Sequence, residues 1–280
     1  MNAAPPQAEK TSNFFLGFLL LPRVQRQALS AVYAYCRLID DIVDSGSLSK
    51  DEARRMLDFW SAEVERLFEG RPTHSISAAL LRPVADFKIP KEPFCEMIRG
   101  CSMDLEGRRY ETLSDLESYM RGVASSVGVM CVHIFGWEYT PRERMTQFAV
   151  DFGYAFQLTN IIRDVGADLE IGRVYLPLFD LRRAGYSEER LAAREQSPVF
   201  ESLIRAQYDR AKAYYARARS HVDVRDLPRL LPAEIMAHVY EGLLDEIKRD
   251  GFRVLFHKTR LSSRRKLALA FKAWLYCHGF

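Results

Sequence analysis

Two aspartate pairs, Asp40 with Asp44 and Asp164 with Asp168, interrupt stretches that are otherwise rich in apolar residues. Each pair has i, i+4 spacing, so on a helix both carboxylates lie on one face, one turn apart. Like charges stacked this way repel. The first pair also sits among Val32, Tyr33, Tyr35, Ile39, Ile42 and Val43, where unpaired carboxylates are costly. Two such helices gain by turning their acidic faces toward each other around cations. An arginine stands upstream in each cluster, Arg37 in one and Arg163 in the other. Mg²⁺ suits an oxygen-only site, being held by one or two carboxylates with water and phosphate oxygens completing its shell. Guanidinium groups present fixed donors to phosphate. The pattern points to chemistry on a diphosphate, which leaves carbon without a protonating residue once its charge is neutralised.

Helix signals dominate the chain and strand signals are almost absent. Pro22 opens a helix running past Asp44 with Leu29, Val32, Cys36 and Ile39 at helical spacing, and Gly46 ends it. Ser49 and Glu52 form a capping box for a second helix that stops near Gly70-Arg71-Pro72. Ser114 and Glu117 cap a third, carrying Tyr119 through Phe135. Thr140, Pro141 and Glu143 launch a long helix through Phe148, Phe152 and Phe156 to Asp164. Further helices follow Ser187, span roughly 200–222, begin after Pro232, and close the chain. With no repeat and no Gly/Ser linker, the expectation is a single all-α domain. The segment 1–11 reads as a flexible N-terminal stretch and 12–280 as the domain.

The run from Val123 to Met130 is apolar on more than one face, as in helices buried in the middle of large folds. Its small residues, Gly122, Ala124, Ser125, Ser126 and Gly128, serve either close helix packing or room for a long apolar ligand. Phe14, Phe18, Tyr33, Phe152 and Phe156 flank or share helices with the acidic clusters; they are either plain core or walls that shield a carbocation from water. Burying a chain of ~15 carbons at ~0.8 kcal/mol per methylene contributes up to ~12 kcal/mol before binding costs.

Composition excludes some classes. A net charge of +3 over 280 residues does not imply nucleic acid. Five cysteines without a C-x-x-C pair read as reduced thiols in a cytoplasmic protein. The opening MNAAPPQAEK lacks the basic-then-apolar order of a signal peptide, and the apolar run 14–21 is far short of the roughly 20 residues of a spanning helix. From Arg253 onward there are seven Lys or Arg and no Asp or Glu, interleaved with large apolar residues. Such a segment is either a closing helix with a solvated basic face or a peripheral contact with anionic lipid at the inner face of the membrane.

At these residues the sequence resembles the squalene/phytoene synthases, head-to-head prenyl transferases with an all-α isoprenoid-synthase fold around a central cavity. The matching stretches run from Tyr33 through Arg37 to Asp44, from Met103 to Glu106, and from Tyr119 through Gly128. The strongest runs from Gln157 to Asp168 and on through Arg173 to Pro177. Within the family, 12–14 and 18–22 look most like the presqualene diphosphate synthases of bacterial hopanoid pathways. The resemblance implies that Asp40, Asp44, Asp164 and Asp168 bind Mg²⁺ (with Mn²⁺ as a substitute) through substrate diphosphates. It implies phosphate contacts for Arg37, Arg163 and Arg173, with Gln157 and Asn160 beside the second cluster. Tyr119 takes the place of the central-cavity tyrosine that stabilises or deprotonates the cationic intermediate. Tyr33 and Tyr240 lie near the diphosphates, and Phe14 and Phe18 at the entrance of a prenyl pocket.

The reaction implied is coupling of two farnesyl diphosphates to presqualene diphosphate by a monomer or weak dimer. NADPH is not expected, because the resemblance lacks the C-terminal extension of eukaryotic squalene synthases. The alternatives are a phytoene or dehydrosqualene synthase, a head-to-tail elongase or cyclase of the same fold, and a scaffold protein without chemistry. Retention of all four aspartates argues against the last, since like-charge pairs without metal only cost stability.

Overall fold

A computed structural model describes residues 21–44 and 48–279; the expectations for Phe14, Phe18, Gly46 and the segment 1–11 lie outside these residues. Every regular element among them is helical. The order is α1 (Arg23–Asp44), α2 (Lys50–Phe68), α3 (Ser75–Asp86), α4 (Glu92–Glu106), α5 (Leu113–Met120), a π-helical turn (Arg121–Ser125) and α6 (Ser126–Phe135). Next come α7 (Arg142–Glu170), α8 (Leu178–Ala184), α9 (Glu188–Ala192), α10 (Pro198–Ser220), α11 (Leu231–Arg249) and α12 (Ser263–Cys277). None of these helices is long and apolar enough to cross a membrane.

Most boundaries follow their local chemistry. Ser49 accepts from the Glu52 amide while Glu52 accepts from the Ser49 amide, the capping box expected for α2. Elsewhere tertiary demands move the cap. Thr112 and Asp115, rather than Ser114 and Glu117, cap α5. Thr140 does not cap α7, because its hydroxyl donates to the buried carboxylate of Asp226 at 2.7 Å. That carboxylate also accepts from the amides of Glu138, Tyr139 and Thr140, which fixes the turn that aims α7. Helices α3 and α4 were not among the sequence expectations. The buried Glu63 anchors the turn into α3 by accepting from the amides of Thr73 and His74.

α7 crosses the middle of the molecule, and α10 lies along it. Phe148, Ala149, Phe152, Ala155, Leu158, Ile161 and Ile162 are all buried in one continuous core with Leu29, Val32, Ile39, Met130, Tyr215 and Leu244. The small residues after Met120 divide between the two roles open to them. A Cβ on Gly122 would stand 2.6 Å from the Gly100 Cα, so this pair lets α4 touch the π-turn backbone to backbone. Val123, Ala124 and Val127 face a cavity, and Gly128 does both, lining the cavity while a Cβ on it would stand 2.8 Å from the Ala149 carbonyl oxygen of α7.

Candidate active site

The cavity holds about 640 Å³, within the roughly 300–1,000 Å³ typical of ligand sites. Tyr33, Arg37, Asp40, Asp44, Tyr119, Gln157, Asn160, Arg163, Asp164, Asp168, Arg173 and Tyr240 all line it. Every site residue expected from sequence and lying among the described residues therefore meets in one place. Asp104, Tyr175 and Lys258 line it too; Asp104 and Tyr175 lie in the stretches that carry the family resemblance, but none of the three was assigned a role from sequence.

The two aspartate pairs differ in setting. On α1 the buried face includes Val32, Tyr35, Cys36, Ile39 and Ile42, and the carboxylates emerge at its edge, where Val32 and Cys36 line the same cavity. Asp40 and Asp44 keep 39% and 42% side-chain exposure, so the first pair is less buried than its apolar surroundings in sequence led us to expect. Arg37 reaches Asp40 at 3.4 Å and Asp41 at 2.7 Å. Asp164 is more enclosed, at 17%. It pairs with Arg163, whose Nε donates at 2.8 Å, and with Lys258 Nζ at 2.9 Å. Arg173 bridges the clusters: its Nη1 lies 2.8 Å from Asp44, while its own amide donates to the carbonyl of Asp168 at 2.8 Å.

Lys258 arrives by a route that periodicity does not reveal. Gly166, between the two aspartates of α7, leaves room for the segment after α11 to lie against the helix. The Gly166 amide donates to Val254 at 3.0 Å, and a Cβ there would stand 2.5 Å from the Leu255 carbonyl oxygen. Arg194 clamps the same crossing by donating to the carbonyls of both Leu255 and Gly166. The basic run after Arg253 thus delivers one of its cations into the site. Lys258→Met is expected to raise KM for a diphosphate substrate about tenfold with a smaller change in kcat, since it removes one charge-assisted phosphate contact worth ~1.4 kcal/mol. Steady-state kinetics with pyrophosphate detection measures this; an unchanged KM would remove Lys258 from the site.

Burial and the neighbouring Asp44 push the Asp40 carboxyl up to about 6, against the opposing pull of Arg37. Burial and Asp164 push Asp168 up to about 7, and Arg173 and Lys258 offset only part of this. Burial also disfavours the charged form of Asp164, but Arg163 and Lys258 outweigh it and hold the group below its ordinary value. The protein's own cations therefore satisfy Asp164 and leave Asp40 and Asp168 short of positive charge. Asn160 Oδ1 is buried without a hydrogen-bond partner. No three His, Cys, Asp or Glu side chains among the described residues converge on one cation position. An ion bound here takes one or two protein carboxylates and fills its shell with water or substrate phosphate, the mode Mg²⁺ favours. The residues fit such an ion.

These shifts fix the sign of a stability effect. In the unfolded chain both carboxyls lose their protons near pH 4; in the folded chain they hold them up to about 6 and about 7. Between those limits the folded state binds more protons, so stability falls as pH rises. A divalent cation favours the ionised forms and removes that penalty. Mg²⁺ with pyrophosphate should raise Tm more at pH 8 than at pH 5, as read by thermal melts; equal increments would contradict the assignment.

Tyr119 is buried, with its hydroxyl donating to Asp104 Oδ2 at 2.8 Å. The Tyr175 hydroxyl donates to the other oxygen at 2.7 Å, and the two rings stack at 5.1 Å. Burial, with the adjacent Asp104 carboxylate, holds the Tyr119 phenol well above its ordinary pKa. Burial also raises Asp104, though hydrogen bonds from Tyr175 and Tyr119 and the charge of Arg173 pull the other way. Tyr119 can therefore take a proton from a ligand only while passing its own to Asp104. The aromatic wall continues along α7, where Phe148, Phe152 and Phe156 follow each other at 4.5 and 5.5 Å and Tyr240 closes on Phe156 at 5.2 Å.

The chain that builds this cavity is similar to known proteins in sequence and in fold. A family model described as squalene/phytoene synthase matches residues 7–266. The chain belongs to the squalene/phytoene synthase family. It is 34% identical over 281 residues to a 15-cis-phytoene synthase of Synechocystis sp., covering 96% of this chain and 82% of that protein. It is 35% identical over 266 residues to phytoene synthase 1, chloroplastic, of Arabidopsis thaliana, covering 93% and 62%. Among solved structures, a dehydrosqualene synthase in complex with a ligand superposes with a TM-score of 0.85 at 28% identity, covering 98% of this chain and 94% of that one. Squalene synthase HpnC from Alicyclobacillus acidocaldarius gives 0.78 at 30%, covering 86% and 89%. The expected family and all-α isoprenoid-synthase fold hold, and with them a prenyltransferase as the class of enzyme. The preference for a hopanoid-type product is less well supported, because these curated relatives are phytoene synthases.

Proposed function

We propose that this protein joins two prenyl diphosphates head to head, with Mg²⁺ between its aspartate pairs, as a phytoene-synthase-type enzyme acting on geranylgeranyl diphosphate. One observation carries the reading: both aspartate pairs and four cations, Arg37, Arg163, Arg173 and Lys258, share a cavity that also has an apolar and aromatic wall. When bound, Mg²⁺ neutralises the diphosphate so that the bond between C1 and oxygen can ionise. The arginines and Lys258 hold the phosphate oxygens. Phe148, Phe152 and Phe156 exclude water and turn their faces to the allylic cation. The 2,3 double bond of the second substrate attacks C1, and proton loss closes a cyclopropane. Tyr119 accepts that proton while handing its own to Asp104; the released pyrophosphate is the other candidate acceptor. A second ionisation, rearrangement and proton loss yield the hydrocarbon without a reductant.

The similarity to phytoene synthases supports the C20 substrate over the farnesyl diphosphate reading. A second reading, a C15 enzyme making dehydrosqualene or another C30 product, is favoured by the likeness to the dehydrosqualene synthase and squalene synthase structures. Purified protein given equal farnesyl and geranylgeranyl diphosphates with Mg²⁺ and no NADPH is expected to make a C40 hydrocarbon at least about tenfold faster than any C30 product, a difference of ~1.4 kcal/mol in selectivity. A dominant C30 product would assign the second reading, and no coupled product would end both.

A further inference from the structure

The closing helix α12 is apolar on two faces, and the described residues cover one of them. On the inner face Ala273 and Cys277 pack with Leu227, Leu231 and Ile235, while Leu269 meets α11 at Gly242. On the outer face Leu267 and Phe271 are one turn apart and 59% and 61% exposed. The ring of Trp274 stacks on that of Phe271 at 6.0 Å and an interplanar angle of 10°, which extends the stripe by another turn. Large apolar side chains aligned this way on a surface mark a contact rather than scattered exposure.

The charges around the stripe indicate what it contacts. Arg264, Arg265 and Lys272 are exposed on the same helix, and none of them forms an ion pair with a described residue. No acidic residue occurs from Arg253 to the end of the chain. A second copy would fit poorly, because two-fold pairing of one patch with itself sets these cations against each other. A surface of anionic headgroups over acyl chains meets both features at once, taking the apolar stripe below the headgroups and the cations among them. The placement also suits an apolar ligand. The helix under α12 is α11, whose Ala233, Met236 and Tyr240 line the cavity.

We propose that the Leu267/Phe271 face of α12, flanked by Arg264, Arg265 and Lys272, docks this protein on an anionic lipid bilayer. The inference stands whichever prenyl diphosphate the cavity takes. The test is co-sedimentation of the full chain with vesicles of phosphatidylcholine alone and of phosphatidylcholine with about three-tenths phosphatidylglycerol. The protein should sediment with the second kind and leave it as salt is raised. Leu267→Gln with Phe271→Gln should lower the bound fraction at least about tenfold with an unchanged Tm. Arg265→Glu with Lys272→Glu should abolish the preference for phosphatidylglycerol and likewise leave Tm in place. The proposal is overturned if neither vesicle binds, or if binding survives both double substitutions. It is equally overturned by a dimer in sedimentation equilibrium that the Leu267/Phe271 substitutions dissolve, since a second copy is then the occupant.

Discussion

Asp164→Ala is expected to lose about 10³-fold in kcat/KM, equivalent to about 4 kcal/mol of transition-state stabilisation, while the protein stays folded. The reason is positional. Asp164 is the most enclosed of the site's ion-paired aspartates and the point where Arg163 and Lys258 meet. Removing it takes away one of the proposed metal ligands and frees both cations to pair elsewhere. Stability should change little, because the charge pairs lost are offset by relief of the repulsion that raises Asp168. The same variant should therefore move the Asp168 titration downward, which carboxyl NMR of the metal-free protein reads directly. Near-normal turnover in Asp164→Ala would contradict the metal assignment; lost activity with a collapsed melting curve would point to a structural role instead.

Gly166→Val should cost both stability and activity. The added side chain cannot fit where the Leu255 carbonyl oxygen lies 2.5 Å from an ideal Cβ, and backbone cannot rotate aside as a flexible side chain would. Overpacking of this kind costs about 3 kcal/mol, so a fall in Tm of at least about 6 °C is expected. The displaced segment carries Lys258 away from Asp164, so the surviving folded fraction should show at least the KM defect of Lys258→Met. Differential scanning calorimetry and kinetics at a temperature well below the lowered Tm separate the two effects. A variant with wild-type Tm would mean that the crossing of 254–255 over α7 is not as described.

What was legible in the sequence follows from the range of the forces involved. The i, i+4 carboxylates and the capping box at Ser49 are local, and they are where the sequence placed them. That the acidic clusters of α1 and α7 share one cavity was inferable because two repelling clusters share one need for cations. Asp104, Tyr175 and Lys258 received no site role from sequence, for different reasons, although the first two lie in stretches that carry the family resemblance. Asp104 has no second carboxylate three or four residues away on α4, and it joins the site through the hydroxyls of Tyr119 and Tyr175, partners distant in sequence. Tyr175 follows α7 in an irregular segment where periodicity is silent. Lys258 was visible only as one member of a basic run, and the signal that could have found it was the glycine between Asp164 and Asp168. Thr140 shows the same limit from the other side: a good capping residue was drawn off by the buried Asp226, a partner far away in sequence.

The central claim is that the facing aspartate pairs bring two prenyl diphosphates together head to head. Substrate labelled with ¹³C at C1 tests it most directly, read by carbon NMR of the product formed with Mg²⁺. Direct bonding of the two labelled carbons, seen as a one-bond carbon–carbon coupling and lost when Mg²⁺ is chelated, is the result expected for a phytoene-type product. A product chain-extended from C1 of one molecule to the far end of the other, with its labelled carbons uncoupled, would contradict the account.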